Sequence, residues 1–328
     1  MAVAANVESL VQAAGSHVPP LMEELEHRLA VLAGGHGEVL ARHGGDTIAA
    51  GGKRLRPLLV FIVAGEAPAA CAGLVRAAVA VELIHSATLV HDDVLDGARL
   101  RRGRPTVVAA GGRGVATATG DLLFSRAFAE LALNGRPEEV QALSDASSAL
   151  VQGELLQRAD AFQPAAVTVE RYLHRCELKT ARLFVAACRL GASQSPLRPQ
   201  PPPEPLGRFG RAVGLAFQLL DDVLDVSGPP ERTGKARGTD LLDGTVTLPL
   251  ILARQRDPDL LRLDLRDVTT PGDAELVCQR IEAAGALEEA RRHALAIVGE
   301  AKATLPGLPT RQRAALELVA DGVVERYA

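Results

Sequence analysis

Apolar positions along the chain recur at helical spacing far more often than they alternate. Leu21, Leu25, Leu29 and Leu32 fall on one face of a helix, and Ala212 to Leu220 is an almost unbroken apolar helix. Alternation of β-branched residues, the mark of half-buried strands, is scarce. The pattern predicts one or two helices over 7–33, broken at Pro19-Pro20, then a loop-rich stretch over 34–52. Further helices are expected at about 51–64, 70–96, 114–133, 137–160, 167–190 and 206–226. A last group is expected at 247–256, 272–284, 286–304 and 310–327, after a polar loop over 227–240. The proline-rich run Ser195 to Pro205 is expected to be an extended connector, because proline lacks the donor a helix interior needs. Helices on both sides of it imply one all-α domain spanning 1–328.

Two of these helices close on the same five residues. Asp92-Asp93-Val94-Leu95-Asp96 ends the helix over 70–96, and Asp221-Asp222-Val223-Leu224-Asp225 ends the one over 206–226. At about 100° per residue, Asp92 and Asp96 are ~40° apart on one face, with His85 between them and Thr88 beside Asp92. Asp221 and Asp225 share a face with Gln218 in the same way. Acid at a helix C-terminus opposes the macrodipole, so concentrating it twice asks for bound cations. Carboxylate oxygens suit Mg²⁺, which takes one or two protein carboxylates and completes its octahedron with water and phosphate oxygens.

Composition adds constraints. Nearly half of the 328 residues are apolar, enough for a large core, and tryptophan is absent. A net charge of −4 gives no nucleic-acid footprint. Cys71, Cys176, Cys188 and Cys278 are scattered without a CxxC, as expected of free thiols in a reducing cytoplasm. Met1 to Pro20 has no basic n-region, so no secretory segment is expected. No uncharged apolar run approaches the ~18 residues of a membrane span.

Lysine usage is the more informative signal. Of 36 basic residues only four are lysine: Lys53, Lys179, Lys235 and Lys302. Where arginine serves almost everywhere, the remaining lysines mark places suited to a compact point charge. Lys53 and Arg56 stand in Gly-Gly-Lys-Arg-Leu-Arg-Pro, Lys179 precedes Thr180, and Lys235 follows the second acidic cluster. With Arg101 and Arg102 they would supply anion-binding groups. Acidic clusters, dispersed cations and apolar helices together describe a site for a diphosphate with a hydrocarbon tail.

The motifs GGKRLRP, HSATLVHDDVLD, RRGRP, GDLLFSRAF, Lys179-Thr180, FQLLDDVLD and GKARGTD occur in this order, and the chain resembles the trans-isoprenyl diphosphate synthase (polyprenyl synthetase) family over nearly its whole length. The resemblance implies ten or more helices around a central cavity, a homodimer, and condensation of isopentenyl diphosphate with an allylic diphosphate using three Mg²⁺ per site. It implies that Asp92, Asp96 and Asp221 ligate metal, with Asp93, Asp222 and Asp225 in support directly or through water. Arg101, Lys179 and Lys235 would hold the allylic diphosphate, and Lys53, Arg56, His85 and Arg102 would hold isopentenyl diphosphate. Thr180 and Gln218 would lie near the reacting carbons. Thr245 stands where the family commonly has a lysine, so one cation of the clamp is missing.

Product length is expected to exceed C20. Family members with short products commonly carry aromatics one turn before the first aspartates, where this chain has Ala87 and Thr88. Phe124 or Phe128 on the next helix would then form the floor. Four alternatives remain: a short-chain synthase, a terpene cyclase, a non-catalytic subunit of a heteromeric synthase, and a di-iron bundle built on Glu24-x-x-His27 and Glu82-x-x-His85. The scarcity of aromatics disfavours the cyclase, and the intact acidic clusters disfavour a non-catalytic subunit. The di-iron bundle is disfavoured by His27, which projects from the side opposite its helix's leucine stripe. A P-loop is excluded because Gly228 to Lys235 lacks the Walker spacing.

Overall fold

The computed structural model describes residues 10–34, 37–66, 71–228 and 237–325. It is 77% helical, as the apolar periodicity predicts. In chain order the α-helices are α1 (Val18–Ala33), α2 (Glu38–Ala49), α3 (Leu55–Ala64), α4 (Ala72–Asp96), α5 (Val107–Ala132), α6 (Pro137–Asp160) and α7 (Val169–Cys176). A π-turn, Glu177–Ala181, leads into α8 (Arg182–Ser193) and α9 (Pro203–Ser227). Then come α10 (Thr239–Leu242), α11 (Leu248–Arg254), α12 (Pro258–Arg262), α13 (Pro271–Ala283), α14 (Ala286–Ala303) and α15 (Thr310–Glu325). The described strands are β1 (Leu100–Arg101) and β2 (Arg104–Pro105), an antiparallel pair.

The chain divides into two compact units. The first comprises residues 1–147, 183–207 and 305–319, and the second 148–182, 208–304 and 320–328.

In the first unit α4 is the central element. Leu74, Ala77, Ala78, Val81, Leu83, Ile84 and Ala87 are wholly buried. It packs antiparallel to α5: Asn134, just past α5, bonds the Gly73 carbonyl at the start of α4, while His91 near its end reaches the Thr117 carbonyl. Gly97 stops α4 in the left-handed conformation (φ 61°), which fixes the aspartates on the last turn. By length and hydropathy α4 could cross a bilayer, but 72% of its apolar window is buried inside the protein. Its Glu82 is also buried, paired with Arg54 at 2.8 Å.

Arg54 ties four helices together. Its guanidinium reaches Glu26 of α1 (2.6 Å), the Ile48 carbonyl of α2 (3.0 Å) and Glu82 of α4, while its own backbone (φ 47°) starts α3. Removing it would strand a buried carboxylate, a change that costs about 3–5 kcal/mol.

In the second unit α11 is buried along its whole length. The capping box of Thr270 and Asp273 starts α13. Asp257 caps α12 by accepting from the amides of Asp259 and Leu260.

Several sequence expectations need correction. The break expected at Pro19-Pro20 falls earlier, over 15–17, and the two prolines stand in the first turn of α1, which needs no amide donors. Residues 38–49, within the stretch read as loop-rich, are helix α2, where Gly44 lies against the Ala33 backbone and Ile48 is buried. Packing there outweighs the ~1 kcal/mol helix penalty of each glycine. Pro203 to Pro205, assigned to the connector, form the first turn of α9. Helix α5 starts seven residues earlier than expected, because Thr106 caps it by accepting from the Ala109 amide at 3.2 Å. It then bends at Gly112 (φ 78°).

Candidate active site

Within the first unit, two loops and the end of α4 bring together most of the basic residues singled out above. The Arg-Arg-Gly-Arg sequence forms the β1–β2 hairpin, with Arg102 (φ 53°) and Gly103 (φ 74°) at its tip, as a two-residue hairpin turn of this hand requires. Arg102 folds back to the 50–52 segment: it reaches toward the Ala50 carbonyl, and Gly52 faces its guanidinium so closely that a Cβ there would lie 3.3 Å away. That places the hairpin beside the loop that carries Lys53. Arg56 stacks its guanidinium on Phe184 at 4.5 Å, and its buried Nε has no hydrogen-bond partner among the described residues.

Burial, and then the charges of Arg56, Arg102, Arg101 and Arg54, hold the His85 imidazole well below its usual range. Burial also lowers Arg56 to about 10. A neutral imidazole among guanidinium groups, one with an unsatisfied buried N–H, is an arrangement made for an anion.

The two acidic motifs show the same internal division. Asp93 and Asp222, the second aspartate of each, are both only 4% exposed. Asp93 Oδ1 accepts from Arg101 Nε and Nη2 at 2.9 and 2.8 Å. Asp222 accepts from Tyr172 and from Gln218 Nε2, each at 2.7 Å. The first and third aspartates are more open: Asp92 and Asp225 are half-buried, Asp96 and Asp221 exposed. Each motif therefore has an inner carboxylate that braces its own unit and a more exposed outer pair.

In the second unit Thr180 Oγ1 donates to Gln218 Oε1 at 2.7 Å, so the two residues expected near the reacting carbons are in contact. With the Asp222 bonds this makes a continuous run: Thr180 to Gln218 to Asp222, which Tyr172 closes from the other side. Burial, reinforced by Asp221, pushes Asp222 up to about 7, and the bonds from Tyr172 and Gln218 pull the other way. Asp240 donates its amide to Asp225 Oδ2 at 3.2 Å. Burial and the neighbouring Asp225, Asp222, Asp221 and Asp243 hold its own carboxyl well above the usual range. Lys179 pairs with Glu154 at 2.6 Å. Lys235 lies outside the described residues. Thr245 is half-buried beside α10 and donates its amide to the Asp240 carbonyl.

The donor set fits a hard divalent cation. It consists of carboxylate oxygens only, on helix C-termini that are already electronegative. Among the described residues no three His, Cys, Asp or Glu side chains form a ready-made metal cage. A cation held by one or two of these carboxylates would be completed by water and diphosphate oxygens, the usual habit of Mg²⁺. The di-iron alternative fails on geometry. Glu82 is committed to Arg54, and Glu24 and His27 are exposed.

Ala87 is wholly buried, whereas Thr88, Phe124 and Phe128 are half-buried. Phe124 stacks on His91, with centroids 5.7 Å apart, so it sits level with the first aspartates. Phe128 is one turn further along α5. Sequence reasoning missed Tyr172, Glu154 and Asp240. Tyr172 did carry a signal, because the chain has only two tyrosines.

The chain is similar to known proteins over most of its length. The family model described as polyprenyl synthetase matches residues 38–277. The heptaprenyl diphosphate synthase component 2 of Geobacillus stearothermophilus is 42% identical over 70% of each chain. The short chain isoprenyl diphosphate synthase of Methanothermobacter thermautotrophicus is 38% identical over 88% of this chain and 91% of its own. A crystal structure of a polyprenyl synthase from Caulobacter crescentus, complexed with calcium and isoprenyl diphosphate, superposes with a TM-score of 0.87 at 34% identity, covering 98% of both chains. A family match over most of the chain, with relatives at this identity and a fold this close, means that the chain belongs to the polyprenyl synthetase family.

Proposed function

We propose that this protein is a Mg²⁺-dependent trans-prenyltransferase that condenses isopentenyl diphosphate with an allylic diphosphate to give a trans-polyprenyl diphosphate longer than C20. The observation that carries the reading is the shared division of the two acidic motifs, each with a more exposed outer aspartate pair and a buried inner aspartate bound to its own unit. Asp92, Asp96 and Asp221 ligate the metal, Asp225 supports it, and Asp93 and Asp222 hold Arg101 and Gln218 in place. Bound metal, three ions per site, supplies the positive charge that turns diphosphate into a leaving group.

The chain's own residues do the rest. Arg101, Lys179 and Lys235 hold the allylic diphosphate. Lys53, Arg56, Arg102 and neutral His85 hold isopentenyl diphosphate, and donors fixed in advance are worth more than mobile ones. Thr180 and Gln218 present oxygen dipoles to the allylic cation. Its lifetime depends on keeping water out, which suits a site built from apolar helices. Attack by the alkene and loss of a proton complete the new double bond, and the released diphosphate is the nearest acceptor. The enzyme works as a homodimer.

Mass analysis of products from purified protein, isopentenyl diphosphate, farnesyl diphosphate and Mg²⁺ tests the reading. Products beyond C20 are expected. Products that stop at C20 would favour the short-chain reading, which the Methanothermobacter relative supports. A second reading, that the chain works only with another subunit, is favoured by the Geobacillus relative, which is component 2 of a heptaprenyl diphosphate synthase. An inactive chain that gains activity with an added partner would support it.

A further inference from the structure

The Lys179–Thr180 pair does not sit on ordinary helix. It lies in the π-turn Glu177–Ala181, where the Arg182 amide bonds back to the Glu177 carbonyl, five residues earlier. A π-turn inserts one residue into the helical register and re-aims the side chains within it. Glu177 anchors its start through Arg211 (2.6 Å) and Arg182 (2.8 Å).

Helix α6 meets this turn at Gly153 and Glu154. A Cβ on Gly153 would lie 2.5 Å from the Lys179 backbone nitrogen and 2.8 Å from its Cα and Cβ. These obstacles are backbone atoms or lie next to backbone, so they cannot swing aside. A glycine inside a helix costs about 1 kcal/mol against alanine, and the close approach of the π-turn accounts for one here. The next residue, Glu154, is 14% exposed and accepts from Lys179 Nζ at 2.6 Å. Arg158, one turn on, reaches the other carboxylate oxygen at 2.9 Å.

We propose that Gly153 and Glu154 are positioning residues for the Lys179–Thr180 pair: Gly153 admits the backbone of the π-turn, and Glu154 aims the Lys179 ammonium. Charge and donor counts fit this role. An ammonium has three N–H donors, so one bond to Glu154 leaves two for a diphosphate. The triad Arg158–Glu154–Lys179 keeps a net charge of +1, so Glu154 directs the lysine without cancelling its attraction for an anion. Without Glu154 the four-carbon stem would sample its rotamers, and binding would have to order it. The functional consequence rests on the reading of Lys179 as a contact to the allylic diphosphate.

The test is steady-state kinetics on the full-length enzyme, varying farnesyl diphosphate and isopentenyl diphosphate separately. Glu154→Ala should raise the KM for farnesyl diphosphate about tenfold and leave that for isopentenyl diphosphate within twofold. Glu154→Gln keeps an acceptor and should recover most of the loss. In a Lys179→Ala background, Glu154→Ala should have no further effect. Gly153→Ala should lower kcat at least tenfold through displacement of Thr180. A purely structural role would lower thermal stability without separating the two KM values. An unchanged farnesyl diphosphate KM in Glu154→Ala, beside a strong defect in Lys179→Ala, would overturn the proposal and leave the function standing. A neutral Lys179→Ala would remove the role of Lys179 and this proposal with it.

Discussion

Tyr172 and Asp222 are joined by a 2.7 Å hydrogen bond, and both side chains are buried. The bond occupies one Asp222 oxygen while Gln218 occupies the other. An acidic motif whose three aspartates look equivalent on a helix end is thereby sorted into ligand and support. Tyr172→Phe would leave a buried oxygen without its donor. It should lower unfolding free energy by about 1–3 kcal/mol, measured by urea titration at pH 7.5. It should also lower kcat more than either KM, because Gln218 loses its fixed partner. Unchanged stability and kcat would show that the bond carries neither function.

The outer aspartates should behave differently. Asp92→Ala and Asp221→Ala should each reduce turnover at least ~10²-fold, about 2.7 kcal/mol of barrier, with helical content by circular dichroism intact. EDTA should abolish activity and Mg²⁺ restore it. Full turnover in chelator would refute the metal assignment.

His85 gives a pH dependence whose sign follows from its environment. Burial and four arginines depress its folded-state pKa below the ordinary 6.5. As pH falls below 6.5 the unfolded chain takes up a proton that the folded chain resists, so stability declines on acidification. Above 6.5 the group contributes no slope. His85→Gln should flatten the dependence between pH 6.5 and 5 in urea-unfolding curves. An unchanged slope would place the depression elsewhere.

Product length is expected to depend on side chains of the first unit. Ala87 is wholly buried, so a phenylalanine there overpacks the core at about 1–3 kcal/mol. Thr88 is half-buried and on the aspartate face, which makes Thr88→Phe the cleaner blocker. It lies one turn, about 5.4 Å, below Asp92, roughly one isoprene unit. Products should shorten towards C15–C20 with turnover retained. Phe128→Ala should lengthen them, while Phe124→Ala should not, because Phe124 is stacked on His91 at the level of the aspartates. Mass spectrometry of extracted products reads all three variants.

The amino-acid sequence by itself determined the all-α class, the long buried α4 with its glycine stop, and the placing of the two aspartate repeats at helix ends. Those are local properties: periodicity, a left-handed cap and charge placed at a helix end. Helix α2 was illegible, because Gly44-Gly45 argues against a helix until Ala33 packs on it. The start of α9 inside a proline run was hidden as well, since proline is forbidden in a helix interior but welcome in its first turn. Only the tertiary structure decided which aspartate of each motif turns inward. That choice depends on Arg101, eight residues on from Asp93, and on Tyr172, fifty residues before Asp222. The π-turn under Lys179 has the same origin: its register answers to Gly153 and Glu154 on another helix, and no local pattern around Lys179 encodes their approach.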